Sequence, residues 1–214
     1  MSETIATAGI SPLVTIIVLN WNGSSHTVSC LTALAKTTYP NYNIVVVDNG
    51  SSDDSVVRIR SSFPDIRIVE TGRNLGYAGG NNVGIRHALA HGADYVWILN
   101  NDTVVVTECL QRMVVAAESD KSIGMVGSKI YYLDAPQTIW YAGGTVDLKL
   151  GCTWHIGKDE PDHGNHDAPG ETEFITGCSV LVRRQLVEAI GLMDENYFLY
   201  FEDVDWSMKA RQAG

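Results

Sequence analysis

Short, nearly continuous apolar runs alternate along the first part of the chain with stretches whose apolar residues recur every three or four positions. Residues 13–19 (LVTIIVL) form the first run, β-branched and closed by Asn22-Gly23-Ser24, the pattern of a strand buried on both faces. Val28, Leu31 and Leu34 follow at helical spacing until Tyr39-Pro40 ends the helix. Residues 43–47 (NIVVV) form a second strand, and Asp48-Asn49-Gly50 is a strong turn signal. Ser52 or Asp53 caps a helix running to about Ser62. The cycle then repeats: a strand over 66–70, a Gly- and Asn-rich loop over 72–80, a helix over 81–91, a strand over 95–99 and an amphipathic helix over 107–118. This alternation predicts right-handed crossovers and an open, Rossmann-like, mostly parallel α/β sheet flanked by helices.

After Ile123 the rhythm changes. Residues 125–133 and 173–182 read as strands, while 152–171, rich in Gly, His, Asp and Pro, reads as a long loop. A short helix ends at 188–191 and another covers 204–212, so the second half is expected to be an irregular α+β extension of the same sheet. The expected organisation is a flexible leader over 1–11 and a single domain over 12–214, divided near 122. The polar start lacks a signal-peptide pattern, and no apolar run approaches the roughly 20 residues of a membrane span. A cytoplasmic location follows as the expectation. The last residues read as a helix and its Gly cap, and the protein is expected to continue beyond Gly214.

A formal net charge of −10 argues against non-specific nucleic-acid binding, which needs clustered Lys and Arg. An anionic substrate would then need local help from backbone N–H groups, an Arg or a metal ion. Cys30, Cys109, Cys152 and Cys178 lie far apart without a Cys-x-x-Cys pair, which favours free thiols over a zinc site or a disulfide framework.

Ligands of open α/β sheets bind at the carboxyl ends of the strands. Four such ends carry polar, turn-forming residues: Asn20-Trp21-Asn22, Asp48-Asn49-Gly50, Arg73-Asn74 with Gly76, and Asn100-Asn101-Asp102. Asp48 can accept from a base N–H or a ribose hydroxyl, or can simply make a turn. Gly76, Gly79, Gly80 and Asn81 lie in a small-residue stretch before a helix, suited to close approach by a phosphate or to tight packing. That stretch is not the Gly-x-Gly-x-x-Gly fingerprint. Asp102 can ligate a hard cation that also bridges to phosphate. Glu202, Asp203 and Asp205 sit among Phe198, Tyr200, Phe201 and Trp206, where desolvation would raise basicity and suit a general base; the plainer reading is acids in the first turn of a helix. His155, His163 and His166 with Asp159, Asp162 and Asp167 match no ordinary zinc spacing and read as a solvated loop.

Six segments in fixed order resemble glycosyltransferase family 2, the inverting enzymes of GT-A fold, and most of all its rhamnosyltransferase-like branch. They are 15–23 (TIIVLNWNG), 46–53 (VVDNGSSD), 73–84 (RNLGYAGGNNVG), 98–103 (ILNNDT), 176–184 (TGCSVLVRR) and 193–205 (MDENYFLYFEDVD). The resemblance implies a nucleotide-binding part over about 12–122 and an acceptor-side part over about 123–214. It implies a dTDP- or UDP-sugar donor contacted by Asp48, flanked by Asn20, Trp21 and Asn22, and lined by Asn74, Gly76, Gly79, Gly80 and Asn81. Asn100, Asn101 and Asp102 occupy the family's Asp-x-Asp position, with Asp102 on Mg2+ or Mn2+ and Asn100 replacing the first acid. Asp203 matches the catalytic base and Glu202 its assistant. The implied reaction moves a sugar, rhamnose among the candidates, to a saccharide or lipid-linked acceptor at the inner face of the membrane. A non-catalytic nucleotide-sugar-binding module and a pyrophosphorylase-like nucleotidyltransferase are the competing readings.

Overall fold

The computed structural model describes residues 11–214, so of the expected leader over 1–11 all but Ser11 lies outside the described residues. The first half runs β1 (Val14–Asn20), α1 (Ser24–Leu34), β2 (Tyr42–Asp48), α2 (Ser55–Ser62), β3 (Arg67–Glu70), α3 (Gly76–Ala90), β4 (Tyr95–Asn100) and α4 (Cys109–Ser119). The second half adds β5 (Met125–Gly127), β6 (Ile130–Tyr131), β7 (Ile139–Tyr141), β8 (Gly144–Asp147), β9 (Cys152–His155), β10 (Ser179–Arg183), α5 (Arg184–Ile190) and α6 (Glu202–Gln212). The main sheet has the order β3-β2-β1-β4-β10-β5. β3, β2, β1 and β4 are parallel, and β10 is antiparallel to both β4 and β5.

Alternate residues of each central strand enter different cores, which is why those strands are apolar throughout. Val14, Ile16 and Val18 join Leu31 and Leu34 of α1, Ile59 of α2 and Leu110 and Met113 of α4 on one face. Ile17, Val45 and Ile98 join Ala78 and Ile85 of α3, Val187 of α5 and Trp206 of α6 on the other. The result is three layers, helices on both faces of a mostly parallel sheet, as the apolar pattern predicts. A smaller third core of Tyr141, Phe174 and Val204 supports the irregular second half and its two-stranded pairs β6-β7 and β8-β9.

The structure corrects several expected boundaries. α3 begins at Gly76, so the second half of the expected 72–80 loop is the helix's first turn and not a free loop. Glycine is a poor helix former, but here it allows the helix to close on the sheet: a Cβ on Gly80 would lie 2.5 Å from Leu19, and one on Gly84 2.5 Å from Ile17. The expected strand over 125–133 is broken into β5 and β6 around Ser128-Lys129, and β10 starts only at Ser179. The expected loop over 152–171 opens with β9, which pairs with β8 through Asp147↔Cys152 and Gly144↔His155. β8 and β9 are four residues each, too short for alternation to stand out, and the apolar Cys152 and Trp154 of β9 face outward.

Two features of the topology position the site. The order β2-β1-β4 reverses direction of winding at β1, the switch point at which open sheets bind ligands outside their carboxyl ends. The register there sets Asn20 opposite Asp48 and Leu19 opposite Asn100. The antiparallel β10 then runs back from this edge, with Ser179 opposite Leu99, so the residues just before it arrive beside Asn100.

Candidate active site

Asn20 and Asp48 meet at the end of β1 and β2. Asn20 Nδ2 donates to Asp48 Oδ1 at 2.9 Å and its Oδ1 accepts from the Thr27 hydroxyl at 2.7 Å. The Ser51 hydroxyl and N–H also donate to Asp48, at 2.6 and 3.0 Å. Asp48 is only 3% exposed and Asn20 fully buried, so Asn20 faces the carboxylate and orients it. Asn22 adopts a left-handed φ of 51° and clips the two loops together, its Oδ1 accepting from Ser52 N–H at 2.8 Å. Trp21 projects outward, 56% exposed.

The link from β2 to α3 runs through Asn49, which the sequence reading treated only as part of a turn. Its Nδ2 donates to Asn74 Oδ1 and to the Gly76 carbonyl, both at 3.0 Å, and its Oδ1 accepts from Leu75 N–H at 3.0 Å. Asn74 Oδ1 also accepts from Gly76 N–H at 2.8 Å, and Tyr77 N–H donates to the Phe198 carbonyl at 2.7 Å. The amides of Leu75, Gly76 and Tyr77 at the start of α3 are therefore bonded within the protein. Gly76 has φ +74°, and any side chain there would strike Phe198. Gly79 and Gly80 face Leu75 and Leu19, serving packing. Asn81 is buried, its Nδ2 donating to the Tyr77 carbonyl at 3.0 Å. The adjacent Asn82 binds both the N–H and the carbonyl of Met193, at 3.1 and 2.8 Å.

At the end of β4, Asn100 N–H donates to the Cys178 carbonyl at 3.0 Å. Asn101 turns toward α1, its Nδ2 donating to the Thr27 hydroxyl at 3.0 Å. Asp102 is exposed. Burial first and the Asp102 charge second push the Cys178 thiol up to about 12. Among the described residues no three His, Cys, Asp or Glu side chains gather into a metal cage. One exposed carboxylate at a strand end fits a hard cation that takes its remaining ligands from a diphosphate and water, and does not fit a protein-caged ion.

A cavity of about 400 Å³ reaches from Asn100 at the end of β4 to Glu202 and Asp203, with Cys178, Tyr77 and Trp140 also in its lining. Asp203 Oδ2 accepts from Gly177 N–H and its Oδ1 from Val204 N–H, both at 2.8 Å. Glu202 is 5% exposed and its Oε2 has no hydrogen-bond partner. Burial is the main cause that raises its carboxyl from 4.5 to about 7. Immediately before this pair, Tyr200 and Phe201 both hold left-handed φ values, 73° and 70°, which bulky residues rarely adopt. A larger cavity of about 530 Å³ lies at the opposite end of the strands, around Tyr42, Arg67 and His87, away from all these groups.

The His- and Asp-rich stretch is mostly exposed, as expected, but is anchored by specific contacts. Asp162 and Asp167 both pair with Lys129, and the Asp159 carboxylate accepts from the Tyr132 hydroxyl at 2.6 Å. His155, at the end of β9, packs edge-on to Trp140 and Tyr141 of β7.

A parallel switch-point sheet with an antiparallel strand returning to its ligand edge, and acids on that cavity, is the arrangement of a GT-A glycosyltransferase. Solved structures agree: a mannosyltransferase, PcManGT from Pyrobaculum calidifontis in complex with GDP-Man and Mn2+, has a TM-score of 0.66 at 20% identity, covering 93% of this chain and 52% of that one. S. aureus TarS 1-349 in complex with UDP-GlcNAc has a TM-score of 0.61 at 18% identity, covering 94% of this chain and 53% of that one. The chain belongs to glycosyl transferase family 2, whose model matches residues 15–191. Its relatives include the galactofuranosyltransferase GlfT1 of Mycobacterium tuberculosis, 29% identical over 84% of this chain and 58% of that protein. The N-acetylglucosaminyl-diphospho-decaprenol L-rhamnosyltransferase of the same organism is 26% identical over 93% of this chain and 70% of that protein. The chain thus spans little more than half the length of the galactofuranosyltransferase and the mannosyltransferase it matches. No helix among the described residues is long and apolar enough to cross a membrane.

Proposed function

We propose that the chain is the donor-binding and catalytic part of an inverting glycosyltransferase that moves a sugar from a nucleoside-diphosphate donor to a hydroxyl group. The observation that carries this reading is the common cavity of Asn100 and Asp203, which sets a strand end suited to a diphosphate against a carboxylate suited to an acceptor. We extend the reading to a dTDP- or UDP-linked donor and a saccharide or lipid-linked acceptor at a membrane surface. Support comes from the UDP-GlcNAc of the TarS structure and from the diphospho-decaprenol in one relative's name. On this reading the nucleotide lies along the ends of β1 and β2. Asp48, oriented by Asn20 and Ser51, accepts from the base or ribose, and Trp21 covers its exposed side.

Asp203 accepts the proton of the acceptor hydroxyl as that oxygen attacks the anomeric carbon. Its two backbone N–H partners aim the carboxylate and stabilise its charge before the proton arrives. Glu202, about half protonated near neutrality, brings less than a full second negative charge to the cavity. Asp102 would hold Mg2+ or Mn2+, which supplies electrostatic neutralisation of the leaving diphosphate. The test is turnover of a nucleotide-sugar panel with and without Mn2+ by the wild type, Asp102→Ala and Asp203→Asn. Metal-dependent transfer lost in both variants is expected. Wild-type transfer by Asp203→Asn would remove the base assignment, and release of nucleoside triphosphate in the presence of pyrophosphate would favour the nucleotidyltransferase reading.

A further inference from the structure

Tyr77 makes two hydrogen bonds that flank Asp203 on either side, one to Gly177, which itself bonds Asp203, and one to Phe198. The Tyr77 hydroxyl donates to the Gly177 carbonyl at 2.6 Å, and Gly177 N–H donates to Asp203 Oδ2 at 2.8 Å. The Tyr77 N–H donates to the Phe198 carbonyl at 2.7 Å. Phe198 opens the turn that continues through the left-handed Tyr200 and Phe201 into Glu202. A single residue on the first turn of α3 thus holds both the backbone partner of the carboxylate and the strained segment that delivers it.

The packing leaves little slack. A Cβ on Gly177 would sit 2.7 Å from the Tyr77 hydroxyl and 3.1 Å from two of its ring carbons, so only glycine admits this approach. Burial first, and then the Asp203 charge, push the phenol well above its ordinary value, so its oxygen stays protonated and remains a donor. The ring also lines the cavity, which places this linkage at the reaction site and not in the remote core. A phenylalanine would fill the same space, so packing alone does not account for the hydroxyl.

We propose that Tyr77 is a positioning residue for the transfer reaction, acting through Gly177 to fix the Asp203 carboxylate against the acceptor. The inference rests on the reading of Asp203 as the general base. Without the hydroxyl, Gly177 is free to shift by fractions of an ångström, and a base misplaced on that scale transfers its proton more slowly. Donor binding at the ends of β1 and β2 does not involve this linkage.

Tyr77→Phe keeps the ring and the backbone bond and deletes only the hydroxyl. It is expected to lower kcat about tenfold, the size of one lost hydrogen bond in a transition state, with donor KM within about twofold of wild type. Exchange of the Gly177 amide proton, slowed by its bond to Asp203, is expected to quicken about tenfold while β4 amides keep their wild-type protection. Gly177→Ala, which presses a methyl group onto the same hydroxyl, is expected to lower kcat too. A wild-type kcat in Tyr77→Phe would overturn the inference, and so would a loss of kcat matched by equal loss of protection in β4, the mark of a purely structural role. Asp203→Asn is measured alongside. Its retention of wild-type transfer would remove the base assignment, while the Gly177 exchange of Tyr77→Phe would still report on the linkage itself.

Discussion

Glu202 carries a pH signature that can be worked from its surroundings. The side chain is 5% exposed, its Oε2 lacks a partner, and desolvation is the main cause that raises the carboxyl from 4.5 to about 7. The unfolded chain releases this proton near 4.5, whereas the native state keeps it to about 7. Between those values the native state binds more protons, so the term lowers stability as pH rises, and the full penalty is present above 7. At about 1.4 kcal/mol per unit, the penalty is on the order of 3 kcal/mol at pH 8 and under about 1 at pH 5. Glu202→Gln retains the shape and removes the charge. Relative to wild type it is expected to gain about 2 kcal/mol more at pH 8 than at pH 5, or roughly 4–8 °C in Tm. Urea unfolding at the two pH values measures the difference directly. An equal effect at both values, or a variant less stable at pH 8 than at pH 5 relative to wild type, would refute the reasoning. A buried acid that weakens the fold at neutral pH is the kind of local conflict expected where function and stability compete.

Two packing predictions test how α3 is seated. Gly84→Ala is expected to lose about 1–3 kcal/mol in urea unfolding, because its Cβ would lie 2.5 Å from Ile17 and 3.1 Å from Val47. An exposed helical glycine would gain stability from the same change, so the sign alone decides. Asn82→Ala strips both hydrogen bonds from the buried Met193 backbone and is expected to lose about 2–4 kcal/mol. Asp102→Ala, by contrast, is expected to leave the melting temperature of the unliganded protein within about 1 °C of wild type, since the residue is exposed. In the same variant, a nucleotide sugar with Mn2+ is expected to give a clearly smaller thermal shift than it gives in wild type.

The alternation of apolar runs with helical spacing was enough to place β1 to β4 and their helices, because burial on both sheet faces requires a locally continuous apolar run. The strand-end polar residues were legible for the same reason: where a buried run stops, the chain reaches the ligand edge. The resemblance to a known family located Asp102 and Asp203 as residues of interest. None of this identified the partners of Asn49, Tyr77 or Asn82, which lie far off in sequence. Nor did it reveal that Gly76, Gly79 and Gly80 belong to a helix, since propensity argues against it and close contacts such as that of Gly80 with Leu19 explain it.

What the sequence by itself determined, then, is which segments are buried and where each surfaces, properties that depend on neighbours along the chain. Tertiary structure alone decided which ends meet. The β1–β2 register sets Asn20 against Asp48, and the antiparallel β10 carries Gly177 to the edge where α6 presents Asp203. Both outcomes depend on strand pairing between distant segments, for which periodicity holds no record. The charge state of Glu202 belongs with them. The residue name supplies an ordinary carboxyl, and only its enclosure by the fold moves it to about 7.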